Sequence, residues 1–324
     1  MDILYALERA AIINEKIARK RILKNEEHDI TDELAKWKVL TKGLEHPALE
    51  LYRMRFAYTE EDQLEQYFAL RDLFFEVFEG LNEKEQKIHF FGLLNNSTSL
   101  IRANKLKIKD TFVLYKNGLE KRILITDDKL NISTYVIALS ISNYCKRFDF
   151  SAKLCSDYIK YLHPDLQNDA MHWASAHTQY WSKNLYESLN ILIQYNFTND
   201  YISLRVKMLM TQLYFDLHLV DNSYEEYLHS YFNSFEKWLS RNKLLSTNAK
   251  KSYLRFVQIC RKLTKLNTEI PFDEERVKCI LADELNIQAI EWIKDKIVQI
   301  LFLQKKRNED SIVEPLFSRK NLDN

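Results

Sequence analysis

A chain of 324 residues with 46% hydrophobic and 13% aromatic side chains holds ample material for a buried core, which excludes disorder over most of its length. Its 47 basic and 46 acidic residues leave a formal charge of +1, and that balance points to neither a polyanionic nor a polycationic partner. Only four glycines occur (Gly43, Gly80, Gly92 and Gly118), no two closer than 12 positions, so the phosphate-binding P-loop, the dinucleotide fingerprint and the nucleophile elbow are excluded.

The scarcity of glycine, with only four prolines, also argues against many tight hairpins and for helices joined by short polar links. Asp2 caps a first helix that is predicted to reach about Asn25. Thr31, followed by Asp32 and Glu33, opens a second, stopped by Gly43. Pro47, at a first-turn position, begins a third. Behind Thr59, the acids Glu60, Glu61 and Asp62 suit the positive start of a fourth, which ends on Gly80 as its C′ residue. Asn82 and Glu85 form a capping-box start for a helix carrying Ile88, Phe91, Leu94 and Leu100. Asp110 begins another, ending at Gly118, and 123–131 reads as a longer connection. Helices then follow over 132–146, 151–162, 166–182, 185–194, 200–218, 223–240, 246–266, 273–284 and 286–305. Their short links suit antiparallel neighbours. This divides the chain into an N-terminal region of divergent helix pairs (1–130), regular helical repeats (131–305) and a charged tail expected to be flexible (306–324).

The spacing makes a repeat of roughly 34–40 residues, each a helix pair that buries its apolar face only by stacking on the next. In the clearest one, Trp173, Ala176 and Tyr180 lie at i, i+3 and i+7 on a first helix. Lys183 and Asn184 make the turn, and Ser188, Leu189 and Leu192 follow on the second helix. This resembles a degenerate tetratricopeptide (TPR) repeat in which Ala176 or His177 stands where the family has Gly. FDFSAKLCSDYIKYLHPDLQNDAMHWA (148–174), ISLRVKMLMTQLYFDL (202–217) and SFEKWLSRNKLLSTNAKKSYLRFVQICRKL (234–263) resemble a group of bacterial TPR-like proteins with no established activity. The likeness implies an all-α, TPR-like α-solenoid of stacked antiparallel helix pairs.

Such arrays offer a groove lined by the first helix of each pair. The expected function is therefore a scaffold that binds a peptide or protein partner on its concave face. Polar side chains at mid-helix nominate Asn143, Ser175, Gln179, Lys207 and Gln212 as groove residues. The alternative is a nucleic-acid-associated regulator: nine Lys and Arg and no acid occur from Lys237 to Thr268. There Lys251, Arg255, Lys262 and Lys265 form one stripe, away from Tyr253, Val257, Cys260 and Leu263. Residues 60–85 carry nine acids against Arg71 and Lys84, so a monomer with weak, salt-sensitive self-association is expected. The stripe Ile290, Ile293, Ile297 and Leu301 is expected to pack inward and close the array.

No residue set spells out a reaction, so neither catalysis nor a cofactor is expected. His163, Asp169, His172 and His177 fall within 15 residues. However, His172 and His177 lie about 140° apart around a helix, a poor geometry for one ion, and no metal is expected. Cys145, Cys155, Cys260 and Cys279 lack CxxC spacing and read as small buried hydrophobes in a reducing compartment. Asp2 and Glu8 argue against a secretory signal, and the apolar run from Ile297 to Leu303 is too short to span a bilayer. A cytoplasmic protein without a membrane partner is the expectation.

Overall fold

A computed structural model of the chain describes residues 2–22, 30–57, 63–103, 105–268 and 289–318. They are almost wholly helical and fall into two compact units, Met1–His163 and Pro164–Asn324.

The first unit holds α1 (Ile3–Ile22), α2 (Thr31–Leu40), α3 (Pro47–Phe56), α4 (Gln63–Val77), α5 (Glu83–Arg102), α6 (Ile108–Glu120), α7 (Ile132–Tyr144) and α8 (Phe148–Lys153). Side-chain acceptors satisfy the otherwise unpaired N–H groups at several starts. Leu4 N–H donates to Asp2 Oδ1 (2.9 Å), Glu85 N–H to Asn82 Oδ1 (3.0 Å) and Ser133 N–H to Asn131 Oδ1 (2.8 Å). Pro47 occupies the first turn of α3, and Gly43 follows α2 in the left-handed region at φ +78°. The expected start at Thr59–Asp62 lies outside the described residues.

Two glycines behave differently from expectation. Gly80 is not a left-handed cap; α4 tightens into a 3-10 turn over Phe78–Gly80, which Leu81 N–H closes on Phe78 O (3.1 Å). Gly118 does not end its helix but lies buried within α6. A Cβ there would meet the Phe90 ring and stand 2.8 Å from Leu124 Cδ1, so its absence lets α5 and α6 approach closely. On α5 itself the buried face is Glu85, His89, Phe90, Leu93 and Leu100, leaving Phe91 exposed.

The 123–131 connection contains a small hairpin, Ile125–Thr126 paired antiparallel with Lys129–Leu130. Asp127 and Asp128 supply the positive φ (49° and 55°) that its two-residue turn demands. The helix expected over 151–162 starts at Phe148 and changes to a π turn over Leu154–Tyr158, then a 3-10 turn over Ile159–Tyr161. Leu154, Tyr158 and Leu162 are all buried. Their spacing of four outruns the 3.6-residue α turn, and the wider π turn keeps them on one face.

The second unit holds α9 (Pro164–Trp181), α10 (Leu185–Gln194), α11 (Asp200–Val220), α12 (Glu225–Arg241), α13 (Thr247–Thr268) and α14 (Ile290–Ser318). A 3-10 turn over Asn222–Tyr224 precedes α12, and α14 continues past residue 305. The helix expected over 273–284, with Cys279, lies outside the described residues. From α9 to α13 each helix packs on the next; α9 also packs on α11, α11 on α13, and α13 on α14. Two layers result, with α11 enclosed on nearly all sides. At the α9–α10 crossing, Ser188 Oγ donates to Ala176 O (2.7 Å), and neither residue is exposed. Lys183, at φ 70°, makes the turn while Asn184 N–H bonds Gln179 O (2.9 Å).

On α14, Ile293, Ile297 and Ile300 are buried and Leu301 is half-buried, so the inward face includes Trp292 and Lys296 as well. Lys296 Nζ lies 2.7 Å from Asp216 Oδ1, both side chains buried. Tyr180 OH donates to Asp216 Oδ2 (2.8 Å) and Trp292 Nε1 donates to Tyr180 OH (2.6 Å). This network ties α9, α11 and α14 together. Among the described residues no helix is long and apolar enough to cross a membrane.

Candidate protein-binding surface

On α12 the core stripe is Leu228, Phe232, Phe235 and Leu239, all fully buried. That leaves a second aromatic face, Tyr227, Tyr231 and Trp238, at i, i+4 and i+11. On α11 the matching positions are Lys207 and Tyr214, at i and i+7. Antiparallel packing aligns the two sets. Tyr214 stacks on Tyr227 (centroids 6.5 Å, planes 8° apart) and lies 5.3 Å from Tyr231. Tyr224, in the turn before α12, sits 6.1 Å from Tyr227 and 6.4 Å from Tyr186 at the start of α10. Two helical turns along the same pair, Lys207 Nζ lies 5.4 Å from the Trp238 ring centre.

The result is a continuous strip of five tyrosines over α10, α11 and α12. Tyr186 and Tyr227 are 61% and 64% exposed; Tyr214, Tyr224 and Tyr231 are half-buried. Partial burial, reinforced by neighbouring phenols, holds the hydroxyls of Tyr214, Tyr224 and Tyr231 above the usual tyrosine range. They are therefore neutral at physiological pH. Exposed Asp221, Glu225 and Glu226 stand within the same turns as Tyr224 and Tyr227. Asp221 is held below the usual carboxylate range by the Ser223 N–H and stays ionised.

Of the groove residues expected from sequence, only Lys207 joins this surface. Asn143 is a correction: it is fully buried, and its Oδ1 accepts from Ser151 Oγ (2.7 Å), tying α7 to α8 out of reach of any ligand. Gln179 accepts from Asn184 Nδ2 (2.8 Å) and steadies the α9–α10 turn. Ser175 is exposed on α9, and Gln212, half-buried, points about 140° around α11 from Lys207. In the basic stripe Lys251, Lys262 and Lys265 are exposed and Arg255 is half-buried, while Tyr253, Val257, Cys260 and Leu263 are buried. The tyrosine strip was missed because the aromatics read as one core set; the signal was that α12 carries apolar residues on two faces.

The histidine cluster is structural. Buried Asp169 accepts from Tyr195 OH (2.9 Å) and from the N–H groups of Thr198 (3.0 Å) and Asn199 (2.7 Å), fixing the entry to α11. His172 stacks on Tyr195 at 3.7 Å. Among the described residues no three His, Cys, Asp or Glu side chains converge on a point where one ion could sit.

His177 lies 4.9 Å from the Trp173 ring, and its Nε2 accepts from Trp181 Nε1 (3.3 Å), so the imidazole must be neutral. Burial, aided by Arg205, pushes its pKa down to about 3. In the unfolded chain it titrates near its ordinary value of about 6.5. Its stabilising contribution is then complete above pH ~6.5 and is lost as pH falls toward 3. Between pH 7 and pH 4 the loss of stability in urea unfolding should be about 1–3 kcal/mol smaller for His177→Phe than for the unaltered chain.

A scan against protein-family models and searches of curated proteins and of solved structures return no match.

Proposed function

We propose that the chain is a protein-interaction scaffold, built of TPR-like helix pairs, that takes a basic peptide segment along the aromatic strip of α10–α12. The observation that carries this reading is the contiguous run Tyr186–Tyr224–Tyr227–Tyr214–Tyr231, in which Tyr186 and Tyr227 are exposed. Tyrosine is a good anchor: it offers a large rigid area with few torsions to freeze. Rings stacked at 6.5 Å or less are pre-ordered, which lowers the entropy lost on binding. The faces of these rings attract guanidinium and ammonium groups, and the Asp221, Glu225 and Glu226 carboxylates at the rim have the complementary sign. The alternation of α9 and α11 in one layer with α10 and α12 in the other supports the repeat reading.

The test is a peptide array of Arg- and Lys-rich segments beside neutral counterparts, followed by fluorescence anisotropy on the strongest binders. Tyr186→Ala and Tyr227→Ala alter exposed rings, so the fold should persist, and each should weaken binding about 10–100-fold. Unchanged affinity in both variants, or no preference for basic over neutral peptides, would exclude this surface.

A further inference from the structure

We infer that the tip of the α12–α13 hairpin docks on an anionic phospholipid surface. The tip is the five-residue link 242–246, closed at both ends by its own side chains. Asn242 Oδ1 accepts from the N–H groups of Leu244 and Leu245 (both 2.9 Å), and Ser246 Oγ accepts from Ala249 N–H (3.2 Å). This rigid turn holds Leu244 outward, 74% exposed. In the link and the flanking helix ends Lys237, Arg241, Lys243 and Lys251 are exposed and Lys250 is half-buried.

No carboxylate occurs from Lys237 to Thr268, and the first turn of α13 contains no acid. Helix starts favour anions; here two lysines, Lys250 and Lys251, follow the start instead and add to its positive end. Arg261, further along the hairpin, pairs with Glu236 at 3.0 Å.

Phosphate groups of a nucleic acid would also answer this charge. The leucine decides between them: it is exposed at the tip, with Arg241 and Lys243 before it and Lys250 and Lys251 after it in the chain, and a nucleic acid backbone has nothing apolar to receive it. A bilayer offers acyl chains just beneath its phosphates. Docking of this kind needs no spanning segment. Each basic residue near an anionic surface multiplies partitioning roughly fivefold, so a handful suffices for reversible attachment.

The experiment is co-sedimentation of the full chain with phosphatidylcholine vesicles, with and without ~30% phosphatidylserine, at low and physiological salt. Binding is expected to the anionic vesicles only and to weaken with salt. Lys243→Ala with Lys251→Ala should reduce it roughly 25-fold, and Leu244→Ser roughly five- to tenfold. Leu244→Trp should bind at least as well, with a blue-shifted emission on anionic vesicles. All these positions are exposed, and circular dichroism checks the fold. Absence of binding to anionic vesicles, or equal binding by Leu244→Ser, overturns the inference. So does tighter binding to duplex DNA that needs the lysines but ignores Leu244.

Discussion

Asp216→Ala is expected to destabilise the Pro164–Asn324 unit by about 3–5 kcal/mol, because it leaves the Lys296 ammonium buried without its counter-charge. The carboxylate has two partners, Lys296 on one oxygen at 2.7 Å and the Tyr180 hydroxyl on the other at 2.8 Å. Removing it strands both, and the hydroxyl is itself tied to Trp292 at 2.6 Å. The double variant Asp216→Asn with Lys296→Met should recover at least half of the loss. Asparagine still accepts from Tyr180, methionine keeps the packing of the aliphatic stem, and no buried charge remains. Four of the five tryptophans (Trp173, Trp181, Trp238 and Trp292) lie in this unit, so urea unfolding followed by tryptophan fluorescence reports mainly on it. A loss below about 1 kcal/mol for Asp216→Ala would mean that water reaches the pair.

Helix ends were legible wherever one side chain makes the end. Asp2 and Asn82 cap as their sequence positions suggest, Gly43 takes its left-handed φ, and α10 runs over the expected residues. The α9–α10 crossing was legible too, because Trp173, Ala176 and Ser188 are large, small and small at helical spacing. What escaped depends on partners outside the residue's own helix. Gly118 reads as a stop, yet its role is set by Phe90 on another helix. Asn143 and Gln179 read as surface because they are polar at mid-helix; each has a hydrogen-bond partner across a turn. Asp216 and Lys296 interrupt apolar faces, which is a signal of a buried ion pair, but one that names no partner until α11 and α14 are placed together. The tyrosine strip needs the α11–α12 register: the i, i+4 spacing of Tyr227 and Tyr231 is visible, whereas Tyr214 joins them only through packing.

Trp173→Ala is expected to cost about 3–5 kcal/mol, and Trp173→Phe only about 1 kcal/mol. Trp173 is 1% exposed at the centre of α9, one turn from the Ala176 carbonyl that receives Ser188. Alanine there opens a cavity the size of an indole, and the close α9–α10 crossing prevents its collapse. Phenylalanine also removes part of the ring, but it removes the Nε1–H as well, which is buried without a hydrogen-bond partner among the described residues. An unpaired buried donor costs about 1–3 kcal/mol, so its loss offsets much of the lost apolar area. The His177 ring, 4.9 Å away, keeps an aromatic neighbour in the phenylalanine variant and loses it in the alanine one. Urea unfolding of the two variants decides the matter. Equal losses would mean that the indole N–H is paired in solution, while a large gap would show that size and ring contact, not the polar handle, hold α9 in place. Because α9 and α10 carry Tyr186 into the aromatic strip, Trp173→Phe should also keep the peptide affinity of the unaltered chain, and Trp173→Ala should lose it as the unit loosens.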